Sequence, residues 1–145
     1  MKDVIVSVNY VGYQGHFLCS CSYHLTTIIA NKKRMVMVST VGRLIDTITK
    51  KPTTIGCRRM FETEVFKAKY SSETGFIEAD VSKSLDGEYY NITEEQELNI
   101  LKDIITNKEV NNLANECEKL ADKGHKKLVD KWVEILKKEV IECQN

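Results

Sequence analysis

The period of the apolar residues changes once along this chain, and that change restricts the folds open to it. Through the first 80 or so residues, apolar side chains tend to recur at every second position. Val4, Val6 and Val8 do so between Ile5, Ser7 and Asn9, and Arg59 to Tyr70 alternates around Phe61, Thr63, Val65 and Ala68. That is the period of strands with one buried face. After Asp86-Gly87 the spacing becomes helical. Leu98, Leu101, Ile104 and Ile105 form a short stripe, and Leu113, Cys117, Leu120, Ala121, Leu128, Trp132, Ile135 and Val140 form a longer one over roughly 111–141. Thr93-Glu94-Glu95-Gln96 has the capping-box pattern that opens a helix. Gly124 interrupts the long stripe at a cost of ~1 kcal/mol relative to alanine, which implies a close helix–sheet approach or a kink.

These patterns predict an α+β fold: a mostly antiparallel sheet from the N-terminal ~80 residues, covered on one face by two C-terminal helices. The expected elements are a strand–turn–strand across Val11–Gly15 and a hairpin from Thr26–Ile29 to Met35–Val38 around Asn31-Lys32-Lys33-Arg34. A strand over Arg59–Tyr70, a turn at Ser71–Gly75 and a strand over Phe76–Val81 follow. Gly42–Lys51 fits a short helix incompletely, because Thr47 and Thr49 dilute Leu44, Ile45 and Ile48. With 145 residues and one proline, Pro52, the chain reads as a single domain over 1–145. No apolar run approaches the ~20 residues that span a bilayer. Met1-Lys2-Asp3-Val4-Ile5-Val6 is too short and strand-like for a secretory signal. Five cysteines, an odd number, read as reduced thiols in a cytoplasm.

Charge divides along the same line. Residues 1–59 carry nine basic side chains against two acids, and residues 60–145 carry twelve lysines against nineteen acids. The chain is thus a basic β-rich part (1–85) joined to an acidic helical part (86–145). All four arginines, Arg34, Arg43, Arg58 and Arg59, fall in the basic part. Two loops there are expected to have like chemistry, Ser39-Thr40-Val41-Gly42-Arg43 and Thr53-Thr54-Ile55-Gly56-Cys57-Arg58-Arg59. Hydroxyls and glycine amides donate to phosphate oxygens, and arginine adds charge and a planar fork. Ser39, Thr40, Gly42, Arg43, Thr54, Gly56, Arg58 and Arg59 are therefore the candidate anion-binding residues. No Gly-Lys-Ser/Thr follows, so this is not a P-loop.

Other sets are weaker. His16, Cys19, Cys21 and His24 have metal-ligating side chains, but on one strand the cysteines share a face and the histidines project from the other, so no metal is expected. Cys57 beside Arg58 and Arg59 is the best-placed thiol for nucleophilic chemistry, yet no histidine is marked as its base. Glu62/Glu64, Glu78/Asp80 and Glu94/Glu95 read as solvated strand or helix faces. Tyr10, Tyr13, Phe17 and Tyr23 lie among basic residues and could stack nucleobases. No cofactor is indicated.

Four segments occur in a telling order: Ser39-Thr40-Val41-Gly42, Ile55-Gly56-Cys57-Arg58-Arg59, Phe61-Glu62-Thr63-Glu64-Val65-Phe66 and Gly124-His125-Lys126-Lys127-Leu128-Val129-Asp130-Lys131-Trp132. This resembles a group of small uncharacterised proteins of tailed bacteriophages and prophages. The likeness covers about 39–70 and 121–133; Glu64 stands where the group carries methionine, and 85–110 is additional. It implies a phage accessory gene acting in the cytoplasm of a bacterial host and assigns no catalytic residue. The expected function is a non-enzymatic accessory binder, such as a host-defence antagonist that sequesters a phosphate-bearing small molecule or blocks a host protein. The alternatives are a nucleic-acid-binding regulator using the basic half and a small cysteine-dependent enzyme. The opposite charges of the two halves also favour a homo-oligomer.

Overall fold

A computed structural model describes residues 3–10 and 22–144. The strands are β1 (Ile5–Ser7), β2 (Ser22–Ala30), β3 (Met35–Gly42), β4 (Leu44–Ile45), β5 (Pro52–Thr53), β6 (Arg59–Tyr70), β7 (Ile77–Ala79) and β8 (Asp86–Asn91). The helices are α1 (Glu94–Leu101) and α2 (Asn107–Gln144). Six strands make one antiparallel sheet in the order β1-β2-β3-β6, with β7 and β8 both on the far edge of β6. The α+β class and the antiparallel sheet agree with the hydrophobic periodicity.

The β2–β3 turn lacks glycine and is built by Asn31. Its Oδ1 accepts from the N–H groups of Lys33 (2.8 Å) and Arg34 (2.9 Å), and its Nδ2 donates to the Leu136 carbonyl (3.1 Å) and to Glu139 (3.0 Å). One side chain thus closes the hairpin and ties it to α2. Ser71–Gly75 forms the expected turn before β7, with the Gly75 N–H donating to the Ser71 carbonyl.

α2 lies along one face of the sheet and buries two apolar clusters. In the first, Val110, Ala114, Cys117 and Ala121 meet Met60, Phe61 and Ile92. In the second, Leu128, Trp132 and Leu136 meet Val4, Ile29, Val36, Val38 and Val65. β3 is buried on both faces, since Met37, Ser39 and Val41, which point away from α2, are also fully covered.

Several expectations need correction. The long helix starts earlier than the stripe indicated, at Asn107, and α1 buries no residue, so the covering of the sheet falls to α2. Gly42–Lys51 is not helical: Leu44–Ile45 pairs with Pro52–Thr53 around a turn held by Asp46, whose Oδ1 accepts from the N–H groups of Ile48 and Thr49. Asp86–Asn91 is a strand, so the helical part begins at Glu94 rather than 86. β8 escapes the apolar pattern because the side chains it turns toward α2 are Asp86 and Glu88, bonded there by Lys131, Trp132 and Lys127, and Tyr90, which bonds Glu88 and packs over Gly124. The turn expected across Val11–Gly15 lies outside the described residues.

Candidate functional site

A polar seam divides the two clusters, built from a stripe of α2 at helical spacing: Asn115, Glu118, Asp122 and His125. The strands meet it from three sides. In β2 the pairing slips between Tyr23 and Leu25, leaving His24 as the extra residue of a β-bulge. A bulge re-aims its side chain, and here His24 reaches α2: Nε2 is 2.5 Å from Asp122 Oδ1 and Nδ1 is 3.7 Å from Glu118 Oε1. Its ring meets Phe61 edge-on, at 5.5 Å between centroids. Arg43, at the corner after β3, has a left-handed backbone (φ 49°) and donates through Nη2 to Asn115 Oδ1 (2.6 Å) and Glu118 Oε2 (3.3 Å). Arg43 Nε is buried and finds no acceptor among the described residues.

Deeper in the seam, His125 is 6% exposed and held at both ring nitrogens, Nε2 by Thr27 Oγ1 (2.8 Å) and Nδ1 by Thr40 Oγ1 (2.7 Å). Thr40 continues to Thr63 Oγ1 at 2.7 Å. A neutral imidazole offers one donor and one acceptor, and hydroxyls rotate to match either, so the chain is satisfied in either tautomer. Burial pushes the His125 pKa down to about 4; the neighbouring His24 acts in the same direction and Asp122 opposes it. The ring is a neutral strut with neither nitrogen open to a substrate.

On the β8 side, three inward residues meet α2 in step. Tyr90 Oη donates to Glu88 (3.0 Å) and sits where a Cβ on Gly124 would go, Lys127 donates to Glu88 (2.8 Å), and Lys131 (2.7 Å) and Trp132 Nε1 (3.1 Å) donate to Asp86. Burial works against the Asp86 charge, but Lys131, Trp132 and the Gly87 N–H together hold its carboxyl below the usual range. Burial, and then the hydrogen bond to Glu88, raise the Tyr90 phenol. Gly124 therefore marks a close approach, and Trp132 is the large buried anchor (8% exposed). Gly42 is a second close approach, because a Cβ there would sit 2.2 Å from the Phe61 ring.

The proposed anion-binding residues do not converge. Ser39 and Thr40 lie inside β3 and are fully buried, not in a loop, and Gly42 ends that strand beneath Phe61. Arg43 is engaged by α2. Thr54 donates to Glu97 of α1. Arg59 pairs with Glu62 (2.9 Å) and stacks on Tyr89 at 3.7 Å from the ring centroid. Arg34, outside that set, is equally committed, bidentate to Glu139 (2.5 and 3.2 Å) and stacked on Trp132. Only the turn Gly56-Cys57-Arg58-Arg59 keeps an exposed guanidinium. The Ile55 N–H donates to the Arg59 carbonyl (2.7 Å) and the Arg59 N–H to the Gly56 carbonyl (2.9 Å). Cys57 (φ 49°) and Arg58 (φ 64°) are both left-handed at its tip and exposed. The Arg58 carbonyl accepts from the Ile92 N–H (2.9 Å), while its guanidinium makes no hydrogen bond or ion pair among the described residues.

Of the possible zinc set, His16, Cys19 and Cys21 lie outside the described residues, and His24 is bound to carboxylates. Among the described residues no group of three histidines, cysteines or acids could hold a metal ion. Tyr13 and Phe17 also lie outside, while Tyr10 Oη accepts from the Ile77 N–H (2.9 Å). No helix of the described residues is long and apolar enough to cross a membrane. The bulge at His24 and the buried role of Thr40 were not legible in the sequence, because neither carries a local signal. No family model, curated protein or solved structure matches the chain.

Proposed function

We propose that this chain is a phage-type accessory protein that acts as a binder rather than through bond-making chemistry, and that it contacts an anionic group on its partner through Arg58. The partner is an anionic small molecule or an acidic site on a host protein. One observation carries this reading: Arg58 is the arginine left uncommitted, and it is presented on a turn that is costly to form. A two-residue turn with both tip residues left-handed favours Asn-Gly, whereas Cys57 and Arg58 each add about 1–2 kcal/mol of backbone strain. Strain of this kind is retained where the side chain is needed.

Of the segments that carry the resemblance, Thr40, Phe61, Thr63, His125 and Trp132 lie where α2 packs on the sheet. The nucleic-acid reading loses support, because Arg34, Arg43, Lys51 and Arg59 are paired with acids of the same chain. The cysteine-enzyme reading rests on Cys57, an exposed thiol with no hydrogen-bonded base among the described residues.

The test is native mass spectrometry of wild type and Arg58→Ala after gentle purification from a bacterial host. A bound small molecule or stoichiometric host protein, absent from Arg58→Ala at an unchanged melting temperature, is the expected result. The same species retained by Arg58→Ala would refute the assignment. Arg59→Ala should behave differently, losing stability through its Glu62 and Tyr89 contacts.

A further inference from the structure

α1 is an eight-residue helix with no buried side chain. Helices this short are marginal alone, and this one is held from below. Its capping box closes its start, with the Gln96 N–H donating to Thr93 Oγ1 (3.1 Å) and the Thr93 N–H to Gln96 Oε1 (2.8 Å). On its inner side Glu97 accepts from Thr54 and Ile100 packs against the first apolar cluster.

Its outer side is unusual. Leu98 (44% exposed) and Leu101 (70%) stand one turn apart in solvent, followed by Ile104 (67%). Leu101 also lines a small cleft against the β4–β5 hairpin, together with Asp46, Thr49, Lys51 and Pro52. Ile48, 89% exposed, sits at the tip of that hairpin. The tip is rigid: Asp46 holds the N–H groups of Ile48 and Thr49 (2.8 Å each), and Lys51 Nζ bonds Asp103 (2.7 Å) and the Ile105 carbonyl (3.3 Å). Leu98, Leu101 and Ile104 thus leave apolar side chains uncovered on one end of the molecule, the kind of surface that marks an interface.

The charges around it identify the occupant. Glu94 and Glu95 open the helix, Lys102 caps its end, and none of these three side chains makes an ion pair among the described residues. At helical spacing Glu94, Glu95, Leu98, Leu101 and Lys102 share one side, and Leu98 is midway between Glu94 and Lys102. That stripe is self-complementary. An antiparallel copy, related by a two-fold axis through Leu98, sets Glu94 and Glu95 of one chain against Lys102 of the other across a helix about 12 Å long. It also opposes the two helix dipoles and places Leu98 at the centre, with each Leu101 one turn away beside the first-turn glutamates of the other copy.

We infer that this face binds a second copy of the chain, giving a symmetric dimer through α1 with Ile48 and Ile104 at its flanks. An eight-residue helix offers little surface beside the roughly 1,200–2,000 Å² of stable interfaces, so the dimer is a weak one.

Sedimentation equilibrium over a concentration series tests it. Wild type should be a monomer–dimer equilibrium, and Leu101→Glu should weaken it at least tenfold with an unchanged circular dichroism spectrum. Lys102→Glu alone, and Glu94→Lys with Glu95→Lys, should each weaken it severalfold by placing like charges together, and combining all three should restore it. That restoration separates a two-fold α1 contact from any other association. A chain that stays monomeric at high concentration, a dimer indifferent to Leu101→Glu, or a triple variant no better than its parents would each overturn the inference.

Discussion

Protonation of His125 should unfold this protein from within its core, and the size of the effect follows from the geometry. The ring is 6% exposed and wedged between Thr27 and Thr40. α2 presents Asp122 near it and β2 presents His24, while Thr63 beyond Thr40 is uncharged. Protonation need not break these hydrogen bonds, because both hydroxyls can accept; the penalty is the burial of charge, with His24 adding repulsion. The folded pKa is about 4 against an ordinary 6.5. The unfolded chain therefore binds more protons between these values, so the stabilisation is complete above pH 6.5 and is lost as pH falls toward 4. At 1.36 kcal/mol per pKa unit the full loss is about 3 kcal/mol, with about 2 kcal/mol gone by pH 5. Urea unfolding of wild type and His125→Gln from pH 7.5 to 4.5 isolates the contribution. Glutamine can still bond a threonine but does not titrate, so the difference between the two proteins should shrink by that amount on acidification. Equal pH dependence in both, or a His125 ring proton titrating near 6.5 by NMR, would refute the reasoning.

Two further outcomes test the close approaches and the strained turn. Gly124→Ala gains ~1 kcal/mol of helix propensity, but its Cβ would lie 1.4 Å from Tyr90 Oη. Displacing that ring costs about 1–3 kcal/mol and weakens its bond to Glu88. A net loss of ~1–2 kcal/mol is expected, at least half of it recovered by adding Tyr90→Phe; a double-mutant cycle with no coupling would contradict the contact. Cys57→Asn with Arg58→Gly supplies the residues that this turn prefers. It should raise stability by about 1 kcal/mol, or roughly 3 °C in melting temperature, while abolishing partner binding. A lower melting temperature would show that the turn is not strained.

How much was legible depends on whether a signal is local. Strand and helix periods, the Thr93 capping box and the close approach at Gly124 are properties of neighbouring residues or of one face, and they could be read directly. The charge split was equally visible, but its meaning was not. Arginine at positions 34 and 43 suggested an anion-facing surface, whereas Glu139 and Glu118 on α2 neutralise them within the chain. Ser39-Thr40 read as a loop because hydroxyls and a glycine mark turns. In the fold Thr40 is inside β3, made acceptable there by His125, which is 85 positions away. β8 was missed for the reciprocal reason, since its inward side chains are polar and α2 supplies the charge partners of Asp86 and Glu88.

The sequence by itself determined the class of fold and where it changes from sheet to helix, because periodicity acts over a few residues and needs no partner to be read. Tertiary structure alone decided which polar groups are spent and which remain for function. A buried threonine, histidine or arginine is defined by what satisfies it, and in this chain those partners come from the opposite half. Only after that pairing does Arg58 stand apart from the other three arginines.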